Sequence, residues 1–265
     1  HSKTPLELFY FETGSIPIRY ILMSRRLNFL WYLLHQNEDS LLANFFQAQC
    51  EDPTKGDWVS QVKEDMRNLK IEMTFDNIKT FSKDAFKQLV KKHVKAAAFA
   101  GLKEIQETHN KSKKLVYNEL KMQEYLSSNN GMTNKEKAFA FSARAQMLKV
   151  KCNFKSGNPD TKCSLGCDSN EDQEHILNCP VLEDDNLTTI SNYSDLFGNN
   201  QMKIKMITQA LMKKFAKFTN LKSTTTVHGQ SQTKPSAADS AEDIVIDVDD
   251  NVNVFDCSDL ELELE

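Results

Sequence analysis

No stretch of the chain approaches the roughly 18 consecutive apolar residues that a membrane-spanning helix needs, so no membrane span is expected. The first residues show no basic segment followed by an apolar run and a small-residue cleavage site, and secretion is not expected either. A Gly-rich phosphate cradle is missing, as is a G-x-S-x-G nucleophile turn, which removes the commonest local signs of nucleotide or acyl chemistry. The carboxylate pairs Asp184-Asp185 and Asp249-Asp250 read as solvated turn and tail residues rather than a two-metal catalytic site, and His35, His93 and His109 as surface or packing residues. No catalytic residue, and no small-molecule substrate, is expected.

What is present is a soluble composition with a lopsided charge. Of 265 residues, 40 % are hydrophobic and 26 % charged. The net charge of -4 conceals two regions: from Gln232 to Glu265 there are 11 acidic residues and one lysine, while the rest carries 32 basic and 26 acidic groups. A mildly basic body permits contact with phosphates. Residues 221–265 turn to Ser, Thr, Gln, Pro and then acid; they offer little apolar surface to offset the entropy of ordering and read as a disordered acidic tail. Within that tail Val, Ile and Asp alternate from Ile244 to Phe255, a pattern suited to adding a strand to a protein partner.

The fold expected is mainly α. Residues 18–34 form a helix with apolar side chains on nearly every side, which calls for several packed neighbours. Ser40 caps a helix to about Gln49 with Leu41, Leu42, Phe45 and Phe46 on one stripe. Asp57 caps another carrying Trp58, Val62 and Met66. Ser82 caps a long helix to about Thr108, with Phe86, Leu89, Val90, Val94, Ala97, Ala98 and Leu102 facing inward. A further helix is expected over residues 113–126. Thr133 and Glu136 form a capping box for a helix that ends near Cys152. Last comes a basic amphipathic helix over 202–218, with Ile204, Ile207, Met212 and Phe215 inward and Lys203, Lys205, Lys213, Lys214 and Lys217 toward solvent. The resulting layout is an irregular helical assembly over 1–160, a small metal module over 161–182, C-terminal helices over 183–220 and the tail.

Three of the six cysteines fall within one short segment together with a histidine: Cys163, Cys167, His175 and Cys179, in the spacing C-x3-C-x7-H-x3-C. Thiolates and imidazole are the donors that tetrahedral Zn²⁺ prefers. Gly166 allows a tight turn between the first pair. His175 and Cys179, four apart, project from one face of a short helix, with Glu171, Asp172 and Glu174 near its start, where negative charge is favoured. Four protein donors leave no open position, so the ion is expected to be structural. Cys152 is the alternative ligand; it, Cys50 and Cys257 otherwise read as free thiols. Such local thiol density favours a reducing, intracellular setting, nuclear or cytoplasmic, over a secreted disulfide scaffold. For phosphate contact the candidates are Arg25 and Arg26, at a break in an apolar helix, and Arg144, Lys149, Lys151, Lys155 and Lys162, which lead into the cluster.

Glu12-Thr-Gly-Ser-Ile-Pro-Ile-Arg-Tyr20 followed by Ser24-Arg-Arg-Leu-Asn-Phe-Leu30 resembles the region just after the polymerase domain in reverse transcriptases of non-LTR (LINE-like) retrotransposons. Lys55-Gly-Asp-Trp58 with Val62-Lys-Glu-Asp65, and Lys121-Met-Gln-Glu-Tyr-Leu126, look similar to the same region, and Cys163, Cys167, His175 and Cys179 match the family's C-terminal Cys-Cys-His-Cys motif. The likeness covers roughly residues 8 to 182. It implies a part of the protein that helps hold template RNA and target DNA, with a zinc-binding role for those four residues and residues 1–50 as the remnant of a larger polymerase-associated core. The chain lacks the family's Tyr/Phe-x-Asp-Asp catalytic motif, so the expectation is a non-catalytic binder of RNA or DNA from a truncated or host-domesticated element. A protein-interaction scaffold using the apolar 18–34 helix and the 244–255 segment is the alternative, and a remnant without function the third.

Overall fold

The computed structural model describes residues 5–52, 56–153, 160–182 and 192–227. Residues His1–Thr225 form one compact unit; of the second, Thr226–Glu265, only the first two residues are described, and the tail expectations fall outside. The described architecture is α-helical, with α1 Leu6–Thr13, α2 Ile18–Leu34, α3 Leu41–Glu51, α4 Trp58–Asn68, α5 Phe75–Lys79, α6 Lys83–Thr108, α7 Asn134–Arg144, α8 Gln173–Asn178 and α9 Gln201–Val227.

The first half is organised around α2 and α6. Phe86, Val90, Val94, Ala98 and Leu102 recur every four residues and form one buried ridge along α6. They face Tyr20, Leu27, Leu30 and Leu33 of α2, while α1 crosses α6 and α3 to α5 pack around the rest of α2. Leu89 and Ala97 are only partly buried. Caps fall where short polar side chains precede the apolar runs: Ser40 accepts from Ala43 N–H at 3.1 Å, Asp57 from Ser60 N–H at 2.6 Å and Ser82 from Ala85 N–H at 3.3 Å. The Thr133–Glu136 box also forms, its carboxylate accepting from Thr133 N–H at 2.7 Å.

Several expectations need correction. The all-round burial of α2 does not occur: Ile18, Leu22, Phe29 and Tyr32 share an exposed side. On α3 only Phe46 is buried, and Leu41 is 87 % exposed. Residues 113–126 are not a helix. Leu115 and Tyr117 are buried with Val116 exposed between them, the period of an extended chain. The Gln106 amide there donates to the carbonyls of Ser112 and Leu115 at 2.8 and 2.9 Å, occupying acceptors that a helix would use itself. α7 stops at Arg144, well before Cys152. Gln146 adopts φ 53°, and Met147 N–H donates to Ser142 O at 2.8 Å while Gln146 N–H donates to Ala143 O at 3.0 Å, a Schellman closure without glycine. Lys70 ends α4 the same way at φ 55°.

The expectation of disorder from residue 221 fails at its start, since α9 continues to Val227. Its buried line is Ile204, Ile207, Leu211, Lys214 and Phe218, so Lys214 belongs to the inward face; its ammonium donates to the Leu177 carbonyl at 2.6 Å. Two elements went unforeseen, α5 and α1. The latter begins after Pro5 and ends at Gly14, which adopts φ 69°. A Cβ at Gly14 would stand 2.3 Å from Met122 N, because the chain at 121–123 runs directly across it and Gln123 N–H donates to Glu12 O at 2.9 Å.

Candidate metal centre

The segment 160–182 is built from backbone pairing on one side and a short helix on the other. Lys162 and Asn170 form an antiparallel bridge, Cys163 N–H donates to Ser169 O at 2.9 Å and Glu171 N–H to Thr161 O at 2.7 Å. This small hairpin holds the turn from Cys163 to Cys167, where Gly166 adopts φ 88°. α8 then starts at Asp172, whose side chain accepts from His175 N–H at 2.7 Å. His175 lies in its first turn and Cys179 just past its end, where the backbone becomes extended.

The donor atoms of Cys163, Cys167, His175 and Cys179 all lie within 4.8 Å of one another. The sulfurs of Cys167 and Cys179 are 3.4 Å apart, near the ~3.8 Å separation of two thiolates each about 2.3 Å from one tetrahedral ion. Cys163 and Cys179 are buried, the other two half-buried. Nε2 of His175 is buried and has no hydrogen-bond partner among the described residues, as expected for a nitrogen that has a metal to bind. Burial pushes the Cys179 thiol up to about 11, helped by its contact with Cys167 and the field of Cys163. Without a cation Cys179 therefore favours the neutral thiol; a divalent ion would reverse that preference and displace the proton. The four side chains form a Cys3His cluster capable of holding a metal. Cys152, the alternative ligand, lies outside the group, with its N–H donating to Glu171 O at 3.0 Å.

Glu171 is the residue that sequence reasoning undervalued. It was expected to complement the start of α8; instead its side chain is fully buried and binds three separate segments. One oxygen accepts from Lys151 N–H at 3.1 Å and Lys222 Nζ at 3.2 Å, and the other from the N–H and hydroxyl of Ser164, next to Cys163. Burial opposes its charge, yet Ser164 and Lys222 outweigh that and hold the carboxyl below the usual range. Gln173 plays a similar part, donating to Ala143 O and Tyr193 Oη at 2.8 Å each and accepting from Asn153 Nδ2 at 3.0 Å. No local pattern marks these two. Lys214 was legible, since it falls on the same three-and-four spacing as Ile204, Ile207, Leu211 and Phe218.

The phosphate candidates scatter. Arg26 makes a two-pronged pair with Asp65 at 2.6 and 2.9 Å. Arg144 is fully buried, with Nε donating to Glu12 at 2.9 Å, Nη1 donating to the carbonyls of Leu196 and Gly198, and the Tyr125 ring 5.3 Å from its Cζ. It cannot meet a phosphate at the surface, and its expected role is corrected to an internal one. Lys151 is held by Asp160 at 2.9 Å and Lys162 O at 2.7 Å, and Lys162 itself donates to Asp168 O. Arg25 and Lys149 are exposed. Lys155 and the Asp184-Asp185 pair lie outside the described residues. Beside His175 is a shallow depression lined by Lys162, Asp168, Asp172 and Glu174, more acidic than basic. His93 Nδ1–H donates to Leu69 O at 2.9 Å, and His35 stacks on Trp31, in keeping with packing roles.

No helix among the described residues is long and apolar enough to cross a membrane. Comparison with protein-family models, curated proteins and solved structures returns no match for the chain.

Proposed function

We propose that this chain is a non-catalytic nucleic-acid-binding module folded around a structural Zn²⁺, of the kind found downstream of the polymerase domain in non-LTR retrotransposon reverse transcriptases. The donor set is the observation that supports it most: three sulfurs and one imidazole nitrogen lie within 4.8 Å of one another, the number and kind of donors that would complete a tetrahedral Zn²⁺ site and leave no position for a substrate. The ion's part is to hold the Cys163–Cys179 loop against α7 and α9, and lysine and arginine side chains elsewhere supply contacts to phosphates, with affinity but little sequence preference. The basic excess outside the acidic tail fits that role. The test is zinc content joined to salt-titrated binding of RNA, single-stranded DNA and duplex DNA. One zinc per chain and binding that weakens steeply with salt are expected; a metal-free folded chain, or no binding to any of the three, rules the reading out.

A protein-interaction role is the second reading, favoured by the exposed Ile18, Leu22, Phe29 and Tyr32 along α2 and Leu41 and Phe45 on α3. It predicts association insensitive to salt and lost in Leu22→Asp with Phe29→Asp.

A further inference from the structure

We propose that the outer face of α6 is the surface that takes the phosphate backbone of a nucleic-acid duplex; this rests on the nucleic-acid reading above and gives it a location. Positions four apart form a continuous row on a helix surface, inclined to its axis. On α6 the row runs Lys83, Lys87, Lys91, Lys95, Phe99, Lys103, over about 30 Å of helix, before it ends at Glu107 in the last turn. The buried row Phe86, Val90, Val94, Ala98 advances by the same four-residue step, so the lysines keep a constant angular distance from the core seam along the helix. Lys83, Lys87, Lys91 and Lys95 are all exposed.

Three features separate this row from an ordinary solvated face. Among the described residues none of its five lysines pairs with a carboxylate. Lys95 lies within the field of Glu119, but Glu119 is already paired with Lys121 at 2.8 Å. Next, like charges four apart repel and weaken a helix, so the row works against the stability of α6 and is not explained by it. Finally, the adjoining row is Asp84, Gln88, Lys92, Ala96, Ala100, Glu104: its carboxylates stand at the two ends, and the middle offers a fourth central lysine and two exposed alanines too short to screen a ligand.

A polyanion with regularly spaced charge fits this surface. The single aromatic in the row, Phe99, is half-buried, stacked edge-on against Phe11 and covered by Lys103 at 5.8 Å. Single-strand binders interleave exposed rings with their basic groups so that bases can stack. The α6 face has phosphate-binding charge without a stacking platform, which favours a duplex whose bases stay paired. The acidic depression beside His175 and the engaged Lys151 and Lys162 make the metal centre the poorer phosphate surface.

The test uses the full, zinc-loaded chain with 20-base-pair DNA and RNA duplexes and a single strand of equal length, followed by fluorescence anisotropy across salt concentrations. If Lys87, Lys91, Lys92 and Lys95 each neutralise one phosphate, log K falls with log salt at a slope of about -3.6. The variant K87E/K91E/K95E should lose about 100-fold in duplex affinity at 0.1 M salt and flatten that slope. K87Q/K91Q/K95Q should flatten it as well, without adding acid to the helix. Lys213→Glu, an equally exposed lysine of α9, should leave binding unchanged. Zinc content and the helical circular-dichroism signal report that the variants are folded. Wild-type affinity and slope in both triple variants overturns the α6 assignment while leaving nucleic-acid binding standing. Tighter binding of the single strand overturns the duplex. Failure of the intact chain to bind any of the probes removes the proposed function, and this surface with it.

Discussion

The region from α2 to α6 and the region from His109 to α9 are held together by different means. In the first, long helices meet along apolar seams, and Asp65 is the buried charge, answered by Arg26. In the second, the helices before α9 are short and the turns long, and the interior contains Asn130, Arg144, Glu171, Gln173 and Lys214, with Gln106 reaching in from α6. Each side chain of that group reaches backbone carbonyls or N–H groups that no helix satisfies. An irregular chain can be buried only if its backbone polar groups find partners, and here those partners are side chains, beside a Cys3His cluster capable of holding a metal. Apolar seams tolerate small shifts; a polar scaffold of this kind fails at single atoms.

Removing the metal should sharpen that contrast most. Chelation is expected to raise amide hydrogen exchange over 160–182 by orders of magnitude while the α2 and α6 amides stay protected; uniform loss across both regions would show that they are one cooperative unit. Cys179→Ser should reproduce the effect and lower zinc content. Next in size, Arg144→Ala leaves Glu12 buried without its partner and should cost about 3–5 kcal/mol in urea unfolding. Leu27→Ala, in the apolar seam, should cost about 2–5 kcal/mol by lost burial and a cavity. The two differ in rescue: Leu27→Met should recover most of the loss, whereas Arg144→Lys should not, because one ammonium cannot reproduce the forked contacts to Glu12, Leu196 and Gly198.

Glu171→Gln should cost about 1–3 kcal/mol, with the change in exchange confined to the Cys163 turn and the end of α9. A smaller effect comes from Glu136. Backbone and side-chain donors lower its pKa, so its contribution is present above the unfolded carboxyl value, near 4.3. That contribution disappears as pH falls through the lower folded value; being only partly buried, the group should move the acid unfolding midpoint only slightly. Comparing Glu136→Gln with the parent between pH 6 and pH 2 measures it.

How much could be read in advance follows the same divide. α2, α3, α4, α6 and the start of α7 were legible because cap and stripe are both local signals. The Cys3His cluster was legible for the same reason, as its four donors sit on one hairpin and on the start and the far end of one short helix. The surroundings of Arg26 and Arg144 were not legible because what pairs with them, Asp65 and Glu12, is remote in the chain and no single-sequence pattern links them. The 113–126 stretch reads as a helix because its composition permits one, whereas the competing hydrogen bonds come from Gln106 and from the backbone beside Gly14. For α1, the Pro5 and Gly14 boundaries were visible, but four of its five apolar residues are consecutive, Leu8 to Phe11, so the segment has no stripe to read.

Gly14 also limits how this protein can change over time. Any side chain there would push the 121–123 strand of backbone off Glu12, and Glu12 is what keeps Arg144 neutralised beneath α7. A lineage that lost this glycine would have to rebuild the interior near the metal module before the new residue could be tolerated. Drift at position 14 should therefore be rarer than at the exposed residues of α3.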